Sequence, residues 1–281
     1  MTDIGTHPEP RMQARQAPQT HNGVTAVGRP LDISIVMPCL NEEEAVRYCV
    51  EKAVAAIAAT GMTGEVVVVD NNSTDNSAEL ARAAGARVVD EAIRGYGSAY
   101  LRGLAEARGR FILIGDSDGT YDFSAVEQFV QPLTNGTDLV VGSRLRGTIH
   151  DGAMPWLHRY VGNPFLTRTM NVLFRNQLSD VYCGMRAMKR ELLATMRLSA
   201  TGMEFALEML IEAQRHGARI KEIPISYSRR AGGQPKLQTW RDGWRSFMFI
   251  INESRGFRVE SRTHAAPALS SATPAPSESG S

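Results

Sequence analysis

Asp116-Ser117-Asp118 places two carboxylates one residue apart, directly after the apolar run Phe111–Ile114. Like charges that close repel unless a cation lies between them. Hard carboxylate oxygens at an open edge suit Mg²⁺ or Mn²⁺, with waters and phosphate oxygens completing the shell. Two more polar clusters follow apolar runs: Pro38-Cys39-Leu40-Asn41-Glu42-Glu43 and Asp70-Asn71-Asn72-Ser73-Thr74-Asp75. In these, Asn41, Ser73 and Asp75 are also spaced to cap the helices that follow. Gly95-Tyr96-Gly97 opens a helical pattern, either as a simple turn or to let a ligand approach the backbone. No GxGxxG follows the first apolar run and no GxxxxGK[ST] occurs, which argues against nicotinamide-cofactor and P-loop nucleotide chemistry.

The segments carrying these clusters alternate between β-branched runs and helical periodicity. Strands are expected at Ile33–Met37, Val66–Val69, Arg87–Val89 and Phe111–Ile114. Helices are expected at Glu42–Thr60, opened by Asn41, and at Asn76–Ala84 and Ser98–Arg108. Alternation with short loops implies right-handed βαβ crossovers, hence an α/β, Rossmann-like, mostly parallel central sheet flanked by helices. Ligands of such sheets gather at the carboxyl ends of the strands, where all three polar clusters fall.

The 281 residues are 43% apolar and 22% charged, which excludes a wholly disordered, collagen-like or disulfide-scaffold chain. With 31 Lys+Arg against 30 Asp+Glu, no charge excess points to nucleic acid. Three cysteines without CxxC spacing read as buried thiols in a reducing compartment. Residues 1–30 lack an apolar signal-peptide core, and 261–281 are a Pro/Ala/Ser tail. Both ends are expected to be disordered around a single domain at 31–260. The longest apolar run near the C-terminus is Phe247–Ile251, far short of the roughly 20 residues a spanning helix needs, so no membrane span is expected. Trp240, Trp244, Phe247, Met248 and Ile251 recur at helical spacing with Arg241 and Arg245 off the stripe, and residues 227–258 hold seven Lys/Arg against two Asp/Glu. That pattern suits a helix lying in a membrane interface or, equally, a terminal helix packed on the sheet.

PCLNEEEAV, VVVDNNSTDNS, GYGSAYLRGL, GDSDGTYDF, DLVVGSR, SDVYCGMRAMKR and EIPISYSRRAGGQPKL, in that order, resemble the motif series of family 2 glycosyltransferases. The resemblance is to the dolichol- or polyprenyl-phosphate mannose and glucose synthase branch, and runs from about Ile33 to Phe249. It implies a GT-A fold, a nucleotide-sugar donor such as GDP-mannose or UDP-glucose, and a polyprenyl-phosphate acceptor. Carried over by position, it puts Pro38, Glu42, Asp70 and Ser117 on the donor side, and Asp116 and Asp118 around the divalent cation and diphosphate. Arg230 and Lys236 match the late basic loop that holds phosphates; with the two aspartates they form the expected catalytic set. Arg144, Asp180 and Arg186 fall in the acceptor region. The chain departs from the pattern at Leu40, Asn71, Cys183, Pro235 and Thr120.

A phosphate acceptor is largely ionised at neutral pH, since its second pKa is about 6, and needs no general base. Its oxygen can attack the anomeric carbon in line and invert it. A sugar-hydroxyl acceptor would need a base, and Glu204 and Glu208, i,i+4 on one helix face, are the candidates, with a structural role as the alternative. His150 and His158 flank Pro155-Trp156 in a segment, Arg144–Pro164, expected to be a loop or short helices over the cleft. Three readings therefore stand: an inverting, metal-dependent polyprenyl-phosphate hexosyltransferase, cytoplasmic or peripheral on the inner membrane face; a transferase acting on a soluble hydroxyl; and a non-catalytic nucleotide-sugar-binding subunit partnered with a separate membrane protein.

Overall fold

The computed structural model describes residues 30–232 and 239–257, and for 239–242 only the backbone. The expected tails, Lys236 and the Trp240 and Arg241 side chains lie outside the described residues. In chain order the elements are β1 (Ile33–Cys39), α1 (Val46–Ala59), β2 (Gly64–Asp70), α2 (Ser77–Ala83), β3 (Arg87–Asp90), α3 (Tyr96–Glu106), β4 (Phe111–Ile114), α4 (Val126–Thr134), β5 (Leu139–Ile149), α5 (Asn163–Phe174), β6 (Arg186–Lys189), α6 (Arg190–Leu193), α7 (Phe205–Arg215), β7 (Ile220–Tyr227) and α8 (Thr239–Ser254).

The seven strands form one sheet in the order β3-β2-β1-β4-β6-β5-β7. All pairings are parallel except those of β6, which runs against both β4 and β5. The valine run of β2 explains why the sheet is covered on both faces. Val66 and Val68 enter one core with Ile33, Ile35 and Met37 under α1, α2 and α4. Val67 and Val69 enter the other with Val36, Ile112 and Ile114 under α3, α5, α7 and α8. Each valine so buried contributes about 1.5–3 kcal/mol.

Several boundaries differ from expectation, for physical reasons. Helix α1 starts at Val46, not at Glu42, because Asn41 adopts a left-handed backbone (φ 53°) and Glu42–Ala45 form a turn in which both Ala45 and Val46 donate to the Glu42 carbonyl. Asn41 is therefore not the cap of α1. The segment expected to be irregular after Arg144 is strand as far as Ile149, because Thr148 and Ile149 pair with Ser226 and Tyr227. A single wide helical turn, His158–Gly162, then leads into α5. Helix α8 packs on α5, with Phe247 against Phe165 (ring centroids 5.6 Å) and Ile250 fully buried, while Trp244 and Met248 stay exposed. The packed stripe thus includes Ile250, which the aromatic spacing had left out.

Candidate active site

The order of the strands reverses between β1 and β4: the chain leaves β1 towards β2 and β3, and leaves β4 towards β6 and β5. A crevice opens at the carboxyl ends of such neighbours. Ser117 fastens its two sides, donating from Oγ to the Pro38 carbonyl at 2.7 Å. The loops after β1 and β2 are laced together. Thr74 N–H donates to Asn41 Oδ1 (2.7 Å), Glu42 N–H to Ser77 Oγ (2.8 Å) and Glu43 N–H to Asp75 Oδ2 (3.2 Å). Asn41, Asp75 and Ser77 thus hold one loop to the other, and Asp75 additionally accepts the Ser77 N–H at the start of α2 (3.0 Å). Asp70 ends β2 and accepts the Ser73 N–H at 3.2 Å.

Asp116 and Asp118 stand in this crevice. Asp118 Oδ1 accepts from the N–H and hydroxyl of Thr120 (3.0 and 2.7 Å), and its Oδ2 accepts from Arg230 Nη1 at 2.8 Å. Arg230 also pairs with Glu42, and its loop is pinned by Ala231 N–H donating to the Asp118 carbonyl (3.0 Å). The loop crosses so closely that Gly119, at φ +82°, would put a Cβ 3.1 Å from that of Ala231. Asp116 Oδ1 accepts from the Tyr100 hydroxyl at 2.9 Å, and Tyr96 also hydrogen-bonds this carboxylate. Burial, then the neighbouring Asp118, push Asp116 up to about 7, against the pull of the two phenols and Arg230. Burial and the Asp116 charge in turn raise both tyrosines well above their ordinary value, so they stay protonated donors.

Further along the rim, Arg144 grips Asp180 through Nε and Nη2 (2.7 and 2.8 Å), and Asn163 Nδ2 donates to the same carboxylate at 2.7 Å. Burial would raise Asp180, but Arg144 and Asn163 hold it below the usual carboxylate range. The Arg144 guanidinium lies 5.2 Å from the Tyr227 ring centre, and its charge adds to burial in lowering the pKa of His158. His150 takes part through its backbone, donating to the Tyr227 carbonyl at 3.0 Å. Arg186 is wholly buried and donates to the carbonyls of Cys183, Val181 and Ala206. It acts through the loop it holds. All three cysteines are buried free thiols, and burial pushes Cys39 up to about 11 and Cys49 and Cys183 up to about 12.

The two glutamates weighed as bases are engaged elsewhere. Glu204 takes Arg245 of α8 at 2.6 Å. Glu208 accepts from the Ser199 N–H and hydroxyl and the Ala200 N–H, at 2.9–3.0 Å. The turn it holds lies against Gly97, where a Cβ would sit 2.0 Å from the Ala200 carbonyl oxygen. The glycine pair therefore admits the chain's own backbone. Asn71, where the family pattern has an acid, donates to the carbonyls of Glu91 and Ile93 (2.9 and 2.8 Å) and accepts the Gly95 N–H, ordering the approach to α3. Sequence reasoning missed Tyr96 and Tyr100 as partners of Asp116. Their i,i+4 spacing on one face of α3 was the available signal. It also missed Tyr121, whose hydroxyl accepts the Gly184 N–H at 2.8 Å beside Asp116.

The donor set suits a hard divalent ion. Two carboxylates, one pushed up by burial and by its neighbour, meet at a strand end beside hydroxyl groups. Among the described residues no group of three His, Cys, Asp or Glu forms a closed metal cage. Phosphate oxygens and water would have to complete the shell, as is usual for Mg²⁺. Neighbouring Arg230, on the loop after β7, adds a cation within reach of an anionic ligand.

Comparison with known proteins agrees with this geometry. The model of glycosyl transferase family 2 matches residues 34–197. The low-salt glycan biosynthesis hexosyltransferase Agl6 of Haloferax volcanii is 43% identical over 80% of this chain, and the chain spans about half (54%) of that relative's length. A dolichyl-phosphate hexose transferase of the same organism is 34% identical over 75% of this chain and 89% of its own. Glucosyl-3-phosphoglycerate synthase from Mycobacterium tuberculosis, solved with Mn²⁺, uridine diphosphate and phosphoglyceric acid, superposes with a TM-score of 0.62 at 26% identity, covering 81% of this chain and 80% of that one.

Proposed function

This chain belongs to glycosyl transferase family 2, and from that premise we propose that it is an inverting, metal-dependent hexosyltransferase that moves mannose or glucose from a nucleotide-diphosphate sugar to a polyprenyl phosphate. The observation that carries the proposal is the Asp116/Asp118 pair at the β1–β4 crevice, with Asp116 pushed up to about 7 and Arg230 bridging Asp118 and Glu42.

Asp116 and Asp118 would hold Mg²⁺ or Mn²⁺, which when bound supplies the positive charge that a departing diphosphate needs. Tyr100 and Tyr96 hold Asp116 in place, and Thr120 does the same for Asp118. Pro38, Glu42 and Asp70 line the nucleoside side of the crevice, with Ser117 joining its walls. Arg230 is within reach of a donor phosphate, and Lys236 belongs to the same basic loop by its place in the sequence. With an effective dielectric of about 20, one such charge pair at about 4 Å is worth roughly 4 kcal/mol before desolvation.

The acceptor reading rests on what the site lacks a use for. With Glu204 held by Arg245 and Glu208 by three donors, neither candidate base is poised to take a hydroxyl proton. A phosphate monoester needs none. The likeness to a dolichyl-phosphate hexose transferase supports the same choice. So does the face formed by the His158–Gly162 turn, α5 and α8, where Trp156, Tyr160, Phe165, Trp244 and Met248 are exposed. No helix among the described residues is long and apolar enough to cross a membrane, so the lipid would be met at its interface. The likeness to glucosyl-3-phosphoglycerate synthase favours a second reading, in which the acceptor is a small soluble molecule.

Radiolabel transfer from GDP-mannose and from UDP-glucose to polyprenyl phosphate or 3-phosphoglycerate, with Mg²⁺ or Mn²⁺, tests both. Organic-extractable label that requires metal and is lost in Asp118→Ala is the expected result. Label only on phosphoglycerate would replace the lipid acceptor, and no transfer from either donor would overturn the proposal.

A further inference from the structure

A cavity of about 420 Å³ lies at the far edge of the sheet, between the start of β7, the end of α5 and the end of α7. The cavity lies at the start of β7 and the Asp116/Asp118 crevice beyond its end, about 20 Å away along an eight-residue strand at about 3.3 Å per residue, so the two are separate. Three cationic side chains, Arg146, Arg175 and Lys221, line it against one carboxylate, Glu222. That carboxylate is already engaged. It accepts the N–H groups of Ser179 and Asp180 (2.8 and 3.0 Å) and the Ser179 hydroxyl (2.8 Å), and Arg146 reaches it only at 3.5 Å. The lining is thus left with an excess of positive charge.

Two further observations point to a ligand. Asn176, which also lines the cavity, is 8% exposed, and its Nδ2 is buried with no hydrogen-bond partner. Buried donors are nearly always satisfied, so the amide of this lining residue is one acceptor short. Beside it, Arg175 sits at the C-terminus of α5 in a left-handed conformation (φ 55°), where glycine is the comfortable residue. A strained arginine at this position is most simply explained by use of its side chain.

We infer that this cavity binds a small phosphorylated molecule, its phosphate held by Arg175 and Lys221 beside the Asn176 amide and its organic body lying against Leu178. The volume lies within the range of small-molecule sites and exceeds what an inorganic anion needs. Glu222 carries the consequence inward: it orders Ser179 and Asp180, and Asp180 is the partner of Arg144 on the rim of the crevice. The edge cavity and the Arg144–Asp180 pair thus meet at the Ser179–Asp180 segment.

The test uses glycerol 3-phosphate as probe, with EDTA present so that metal-assisted binding at the crevice does not contribute. Thermal melting is followed for the wild type, for Arg175→Gln/Lys221→Gln and for Arg230→Gln, with sulfate at matched ionic strength as control. The wild type and Arg230→Gln should show a saturable rise in Tm, and the double variant should bind about tenfold more weakly or not at all. Arg175→Gly gives a second readout. Relief of the left-handed strain should raise its unliganded Tm while the response to the probe weakens. An equal shift with sulfate, a response lost in Arg230→Gln and kept in the double variant, or no response would each overturn the site. So would an Arg175→Gly protein that melts lower and responds undiminished, because the arginine would then serve only the helix end.

Discussion

At the scale of single residues, Asp116 ties protonation and stability to the proposed reaction. Burial and Asp118 raise it to about 7 in the folded, metal-free chain, whereas an unfolded chain carries an ordinary carboxylate near 3.8. Between those values the folded state binds more protons. The resulting stabilisation is complete below about pH 4 and is lost as pH rises through about 7. Asp116→Asn removes the titration. Melting in EDTA should therefore show the variant and the wild type alike near pH 4, and the variant higher by roughly 3 °C or more at pH 8. Parallel curves across that range would refute the assignment. The same variant should lose transfer by about 10²–10³-fold, the usual cost of removing an electrostatic contact to a reacting group. The Arg144–Asp180 pair makes the opposite case. Asp180→Ala would strand a buried guanidinium and cost about 3–5 kcal/mol in denaturant unfolding, while Arg144→Met/Asp180→Leu should recover most of it. A double variant no better than the single would show that the pair contributes more than mutual neutralisation.

Elements do the positioning, and here the turn at 199–201 matters as much as any strand. Glu208 holds that turn from α7, and the turn in turn receives the Ser98 N–H of α3, the helix that carries Tyr96 and Tyr100 to Asp116. Glu208→Gln should lower stability by about 1–3 kcal/mol and leave the pH profile of kcat unchanged, whereas loss of a catalytic base would take the acidic-side dependence with it. Gly97→Ala should be more damaging, since its methyl group would collide with backbone. The first four strands and the three polar rims could be read in the chain because consecutive β-branched runs, Pro-x-x-Asn-Glu and Asp-x-Asp are local patterns, whereas β5, β6 and β7 were not assigned. What escaped was whatever depends on partners distant in sequence. Asn41 reads as a cap until Thr74, thirty-three residues on, claims its oxygen. The two glutamates share a helix face, yet one meets Arg245 and the other a backbone turn, and no spacing rule distinguishes them. Gly95-Tyr96-Gly97 likewise suggests a ligand until Ala200 is found against it.

For the whole molecule the question is how a crevice at the strand ends would meet an acceptor that sits in a lipid interface. The turn at 158–162, α5 and α8 present one face. On it Trp244 is 65% exposed, Tyr160 and Phe165 are exposed as well, and Phe247 joins Trp244 to Phe165 through ring contacts of 5.8 and 5.6 Å; Trp156, just before the turn in the chain, is 69% exposed. Residues 152–174 carry Arg159 and Arg168 and no acidic residue. Aromatic side chains with cations beside them are the composition of a surface that rests at the headgroup level. Each cation near an anionic leaflet adds about 1 kcal/mol, and that part is screened by salt; the aromatic part is not. The chain should therefore sediment with vesicles containing anionic lipid, and less with neutral ones. Raising salt to about 1 M should weaken the binding without abolishing it, leaving the aromatic contribution. Trp156→Ser/Trp244→Ser should remove that remainder and shift the vesicle midpoint by at least about tenfold, since each Trp buries a large area when it enters the interface. Folding should not suffer, because both rings face solvent. If the double variant still sediments like the wild type, this face is not the one that meets lipid. If the wild type ignores vesicles of every composition, a diffusible phosphorylated acceptor becomes the better account of a site whose two candidate bases, Glu204 and Glu208, are engaged elsewhere.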